Sequence, residues 1–178
     1  MSSYGFMRLA LGTPELRVAD IDYNTAKIKE MIAEAIKNRC GILVFPELAL
    51  SGKTSYDLFF QKELEARSFQ ALKEIADFLK GENILVFLGL AFRLNKQLYN
   101  AVALISAGKI QAIFPKSRLE KLEKRWFSEF KGTNRLIKRE QLEIPFGKFL
   151  VRGVNDFWDF TIGVNIGNED YFRESDIL

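Results

Sequence analysis

A chain of 178 residues, 48% hydrophobic and 28% charged, has the length and balance of one soluble domain with a real core. Its net charge of +3, from 26 basic and 23 acidic side chains, is too small and too interspersed to argue for nucleic acid or an anionic membrane. The absence of histidine excludes Ser-His-Asp and Cys-His catalysis and the common zinc sites, and the single Cys40 excludes an internal disulfide. The amino-terminal MSSYGFMRLALG does not read as a signal peptide, and no apolar window approaches the length of a membrane span. The expectation is a cytoplasmic protein with no membrane or nucleic-acid partner.

In chain order, Phe6 to Leu11 reads as a short strand ended by Gly12-Thr13-Pro14. Asp22 or Asn24 can cap a helix that runs to about Lys37, with Ile28, Met31, Ile32, Ala35 and Ile36 at helical spacing. Gly41 opens the strand ILVF, whose lack of polar alternation suggests burial on both faces, as in a parallel sheet. The pattern from Tyr56 to Lys80 is helical again and is closed by Gly81. ILVFLGLAF (84–92) is a third buried strand, and LYNAVALIS and KIQAIFP flank Ala107-Gly108 as a hairpin. A charged, Trp-containing stretch follows Lys116, and LEIPFGKFLVRG and FTIGVNI offer two more strands. Strands that alternate with helices early and pair as hairpins later make a mixed sheet with helices on its faces.

Ligands of open α/β sheets bind beyond the carboxyl ends of the strands. Three such ends carry chemistry here: Pro46-Glu47 after ILVF, Pro115-Lys116 after KIQAIF, and Gly167-Asn168-Glu169-Asp170 after FTIGVNI. A carboxylate and an amine facing one cleft could serve as base and oxyanion stabiliser. The same two residues could equally form a structural ion pair, or stand as separate solvated loop charges.

FPELALSG with DLFFQ, then LYNAVALISAGKIQAIFPK, EKRWF and FTIGVNIGNED, taken together and in order, resemble the carbon–nitrogen hydrolase (nitrilase) superfamily. The resemblance is strongest to the glutaminase (amidotransferase) domain of glutamine-dependent NAD synthetase and spans Tyr4 to Asp170. It implies an α/β fold, a nitrilase-like four-layer α-β-β-α sandwich with mixed sheets, here incomplete at its carboxyl end and forming one domain over 1–178. It also implies glutamine, or a similar small amide, as ligand, and no cofactor. Glu47 falls on the family's general base, Lys116 on the lysine that steadies the tetrahedral intermediate, and Glu123 on a second glutamate before Lys124-Arg125-Trp126-Phe127. Tyr99-Asn100 matches a tyrosine–asparagine pair read as structural.

The family's third group is a cysteine that attacks the amide and forms a thioester. This chain has Gly167, or Asn168 if one residue is inserted, at that position, and neither can act as a nucleophile. Cys40 cannot substitute, because it precedes the strand that Glu47 follows, roughly 17–20 Å away along extended backbone. The loop between Lys116 and Glu123 is shorter than in the synthetases, and no Gly-rich pyrophosphate loop is present. Two readings follow: an amide hydrolase of the glutaminase kind that has lost its activity, or a non-catalytic binding or assembly module on the same scaffold. Either implies a homo-oligomer or association with a synthetase domain, since an unfinished sandwich exposes apolar sheet surface.

Overall fold

The computed structural model describes residues 7–155 and 158–167. Strand β1 (Leu9–Leu11) leads through helix α1 (Ile21–Lys37) to β2 (Ile42–Val44), and β2 through helix α2 (Lys62–Phe78) to β3 (Leu85–Leu94). The three strands pair in parallel, with Leu9 opposite Ile42 and Ile42 opposite Leu85. Helical crossovers permit this arrangement, and the apolar run of β2 fits its burial. The cap of α1 is Asp20, one residue before the helix, whose carboxylate accepts from the Tyr23 N–H at 3.0 Å. Asn24, expected as a possible cap, is instead fully buried and ties the Arg17 and Leu50 backbones together.

The expected helix from Tyr56 divides. Lys53–Phe60 is a 3-10 segment, interrupted at Tyr56 (φ 45°, ψ −121°), and regular α-helix starts only after the extended Gln61. Helical periodicity spans both parts, but a bulky residue with positive φ cannot continue a helix.

Strands β3, β4 (Gln97–Ser106) and β5 (Lys109–Pro115) form an antiparallel meander. Its second turn, Ala107-Gly108, has positive φ at both residues, the two-residue hairpin geometry that glycine favours. Two further strands, β6 (Arg135–Arg139) and β7 (Leu142–Phe146), complete a seven-stranded mixed sheet of order β1-β2-β3-β4-β5-β7-β6. β6 lies inside the charged stretch, where Arg135, Lys138 and Arg139 leave no alternation of apolar and polar residues to mark a strand. The expected single strand LEIPFGKFLVRG is cut at Gly147 (φ 150°), which Asn134 brackets through bonds to the Lys148 N–H (2.8 Å) and carbonyl (2.7 Å). Beyond that break, β8 (Leu150–Asn155) and β9 (Trp158–Gly163) form a separate antiparallel pair.

The period of two along each strand sorts the core into two layers. Leu88, Leu90, Phe92, Ala101 and Ala103 face the helical side, with Phe69, Leu72 and Ile75 of α2. Phe87, Val102, Leu104 and Phe114 face the opposite side, against Ile162, Val164 and Ile166. The described residues thus build helices, a large mixed sheet and a small second sheet, in that order. Among them no helix is long and apolar enough to cross a membrane.

Candidate active site

The carboxyl ends of β2 and β5 lie on opposite sides of β3 and β4, and their side chains converge across them. Glu47 follows β2 because the chain turns sharply there: Phe45 N–H still bonds the Phe87 carbonyl (2.8 Å), and Leu48 already has φ 56°. The turn presses on Gly89 of β3. A Cβ there would stand 2.6 Å from Leu48 N and 2.8 Å from the Glu47 carbonyl carbon, so only glycine admits this path. Lys116 follows β5, with its N–H on the Asn100 carbonyl (2.8 Å) and its own carbonyl accepting from Phe130 (3.0 Å). Glu123 opens the single 3-10 turn Glu123–Arg125.

These three meet in one closed network. The Lys116 ammonium lies 3.0 and 3.1 Å from the two Glu123 oxygens and 3.3 and 3.5 Å from those of Glu47. Asn100, on β4, donates from one amide nitrogen to both carboxylates, at 2.8 Å to Glu47 and 3.1 Å to Glu123. Its Oδ1 is buried without a hydrogen-bond partner among the described residues. The reverse amide orientation would turn that oxygen on two carboxylates, so the electrostatics select the observed one. The backbone N–H of Glu120 closes the ring on Glu123 at 2.9 Å.

Lys116 is 2% exposed, which by itself would lower its pKa. The Glu123 hydrogen bond and the charges of Glu47 and Glu123 outweigh burial and hold the ammonium above its ordinary value. Burial likewise pushes the Glu123 carboxyl up, but the Glu120 N–H, Lys116 and Asn100 together bring it below the usual carboxylate range. Lys116 is therefore a permanent cation between two carboxylates. Glu47 is the least buried of the charged three, with 19% of its side chain exposed.

Gly167 completes the site. Its φ is +67°, and a Cβ on it would point between the two charged groups, 2.7 Å from Lys116 Nζ and 2.8 Å from Glu47 Oε1. Gly167, the position expected for the nucleophile if no residue is inserted, thus faces the charged pair and carries no side chain. Asn168, the alternative, lies outside the described residues. Beside Glu47 and Gly167 a cavity of about 340 Å³ opens between the sheets, walled by Val44, Phe87, Val102 and Ile162. Cys40 is buried at the other end of β2. The hydroxyls of Ser51 and Ser55 donate to backbone carbonyls at 3.5 and 2.7 Å.

A carbon-nitrogen hydrolase family model matches residues 8–175. The chain belongs to the carbon–nitrogen hydrolase family. It is 28% identical over 177 residues to the glutamine-dependent NAD(+) synthetase of Mycobacterium bovis, covering 95% of this chain and 25% of that protein. The crystal structure of a glutamine-dependent NAD(+) synthetase from Cytophaga hutchinsonii superimposes with a TM-score of 0.78 at 27% identity, over 84% of this chain and 26% of the other. An amidase from Nesterenkonia sp. shares the fold, with a TM-score of 0.62 at 22% identity, over 78% of this chain and 54% of the amidase. The chain therefore spans about a quarter of the length of the synthetases it matches. Its likeness is to their glutaminase, carbon–nitrogen hydrolase part.

Two residues hold the site in ways that were not expected from the sequence. Asn100 stood as a structural residue of a tyrosine–asparagine pair, yet it bridges both carboxylates. Gly89 is a glycine inside an apolar strand, a pattern that marks close backbone approach, and that signal was available.

Proposed function

We propose that this chain holds a small carboxamide, glutamine being the first candidate, at the Glu47–Lys116 pair and does not hydrolyse it. The observation that carries this reading is Gly167: a Cβ on it would stand 2.7 Å from Lys116 Nζ and 2.8 Å from Glu47 Oε1, and a glycine brings no nucleophilic side chain to that place. On this reading Glu47 accepts a hydrogen bond from the amide N–H. The Lys116 ammonium, 3.3 Å from Glu47, polarises the amide oxygen on the same reading. Acyl transfer needs a nucleophile to receive the carbonyl carbon, and neither group supplies one. Membership of the family and the glutamine-dependence in the relatives' names support glutamine as the ligand to test first. NAD synthesis, the activity in those names, falls on this reading to residues other than these 178.

The test is paired on one sample. Calorimetric titration with glutamine is expected to give saturable binding that Glu47→Gln weakens, and an ammonia assay is expected to give no release above buffer. Ammonia release that disappears in Glu47→Gln would instead establish catalysis without a cysteine. An absence of glutamine binding would overturn the reading.

A further inference from the structure

The 3-10 turn that carries Glu123 is held from outside by the segment Lys53–Phe60. Asp57 accepts three hydrogen bonds there: from the Trp126 indole N–H at 2.8 Å and from the Arg125 Nε and Nη2 at 3.1 and 2.9 Å. The rings follow the same path. Tyr56 packs on Trp126 with centroids 5.5 Å apart, and Phe59 packs on Phe127 at 4.9 Å. Tyr56 keeps a positive φ of 45° in doing so, a conformation that persists only where surroundings over-determine it.

The grip reaches Glu123 directly through the backbone. The N–H groups of Trp126 and Phe127 both bond the Glu123 carbonyl, at 3.0 and 2.9 Å. Moving the indole therefore moves the residue whose carboxylate holds Lys116. The ring packing contributes to folding, but the Asp57–Arg125 pair adds little to it. The Asp57 and Arg125 side chains are 62% and 60% exposed, and an exposed ion pair contributes little to folding. Its geometry is nevertheless bidentate, with a third, neutral donor added, which fixes direction rather than supplying energy.

We propose that Asp57 is a positioning residue: by clamping Trp126 and Arg125 it sets the turn that aims Glu123 at Lys116 and Asn100. It touches none of the groups of the site itself. The inference concerns the geometry of the charged cluster and does not depend on which ligand the cluster takes.

Among the described residues three groups face the Glu123 carboxylate: Lys116, the Asn100 amide and the Glu120 N–H, with Glu47 sharing the first two. All three favour its ionised form, so its titration reports how well it is aimed. The experiment is a carboxyl-carbon NMR titration of the full chain, labelled at glutamate, with Glu123 assigned by Glu123→Gln. Asp57→Ala is expected to raise the Glu123 midpoint by about 0.5 in pH or more, while the melting temperature changes by less than about 4 °C. Asp57→Asn, which keeps an acceptor for the indole, is expected to fall between wild type and Asp57→Ala. Lys138→Ala, which breaks another exposed pair (Lys138–Glu143), is expected to leave Glu123 unmoved. A Glu123 midpoint unchanged in Asp57→Ala, or shifted equally by Lys138→Ala, overturns the proposal. Should Asp57→Ala fail to fold, an unchanged midpoint in Asp57→Asn overturns it and a raised one supports it.

Discussion

Replacing Lys116 by Met keeps the aliphatic stem in place and deletes one buried charge. What remains is the Glu47–Glu123 pair, two carboxylates bridged by a single Asn100 nitrogen. Removing one partner of a buried ion pair costs about 3–5 kcal/mol, because the other is left uncompensated. Two features place this case at the lower end: the Glu120 N–H still serves Glu123, and Glu47 keeps some contact with solvent. The expected loss is about 3 kcal/mol at pH 7, a fall in melting temperature of roughly 6–12 °C for a domain of this size.

The loss should depend on pH, with a definite sign. In the wild-type chain Glu123 has a lowered pKa. Its contribution is fully present above the unfolded value, about 4.3, and fades as the pH falls through the lower folded value. In Lys116→Met, burial acts on Glu123 without its cation, so its folded pKa rises above the unfolded one, and the variant gains stability as the pH falls. The difference between the two proteins should therefore be greatest near pH 7–8 and narrow by pH 5. Urea denaturation of both at pH 7.5 and pH 5 measures it. A difference of the same size at the two pH values, or one below about 1 kcal/mol at pH 7.5, would refute the account of Lys116 as the neutralising centre of the cluster.

Three further outcomes can be checked. Gly167→Ala puts a methyl 2.7 Å from Lys116 Nζ on a residue with φ +67°; it is expected to cost about 1–2 kcal/mol by urea denaturation and to abolish carboxamide binding by calorimetry. Gly89→Ala sets a Cβ against the Pro46–Leu48 backbone, which has no flexible end to yield. A loss of at least about 2 kcal/mol and weakened glutamine binding are expected, and a stability within 0.5 kcal/mol or so of wild type would show that the turn has another route. The chain is expected to self-associate, since Leu9 and Leu11 on edge strand β1 and Leu150 on β8 are exposed, at 55%, 74% and 62%. Sedimentation velocity across micromolar concentrations would refute this by showing a single species of 20.5 kDa.

The sequence by itself determined the early βαβ order, the burial of β2 and β3 and the β4–β5 hairpin. Each rests on local signals: a period of 3.6, an unbroken apolar run, or a two-residue turn. It also brought out Glu47 and Lys116, because charged residues placed just after Pro at strand ends break the local pattern. Other elements were decided only in three dimensions. The cap moved to Asp20 because Asn24 is needed inside, between the Arg17 and Leu50 backbones. The helix begins at Lys62 because Tyr56 leans on Trp126, 70 residues later in the chain. β6 exists because it pairs with β7 and not because its charged sequence favours a strand. Spacing along the chain also left Glu47 and Lys116 open to three readings: catalytic groups, a structural ion pair or separate surface charges. Tertiary structure drew Glu47, Asn100, Lys116, Glu123 and Gly167 from five separate segments to within contact of one another. The physical reason is that a charge cluster is a property of distances across the sheet, which no local sequence period encodes.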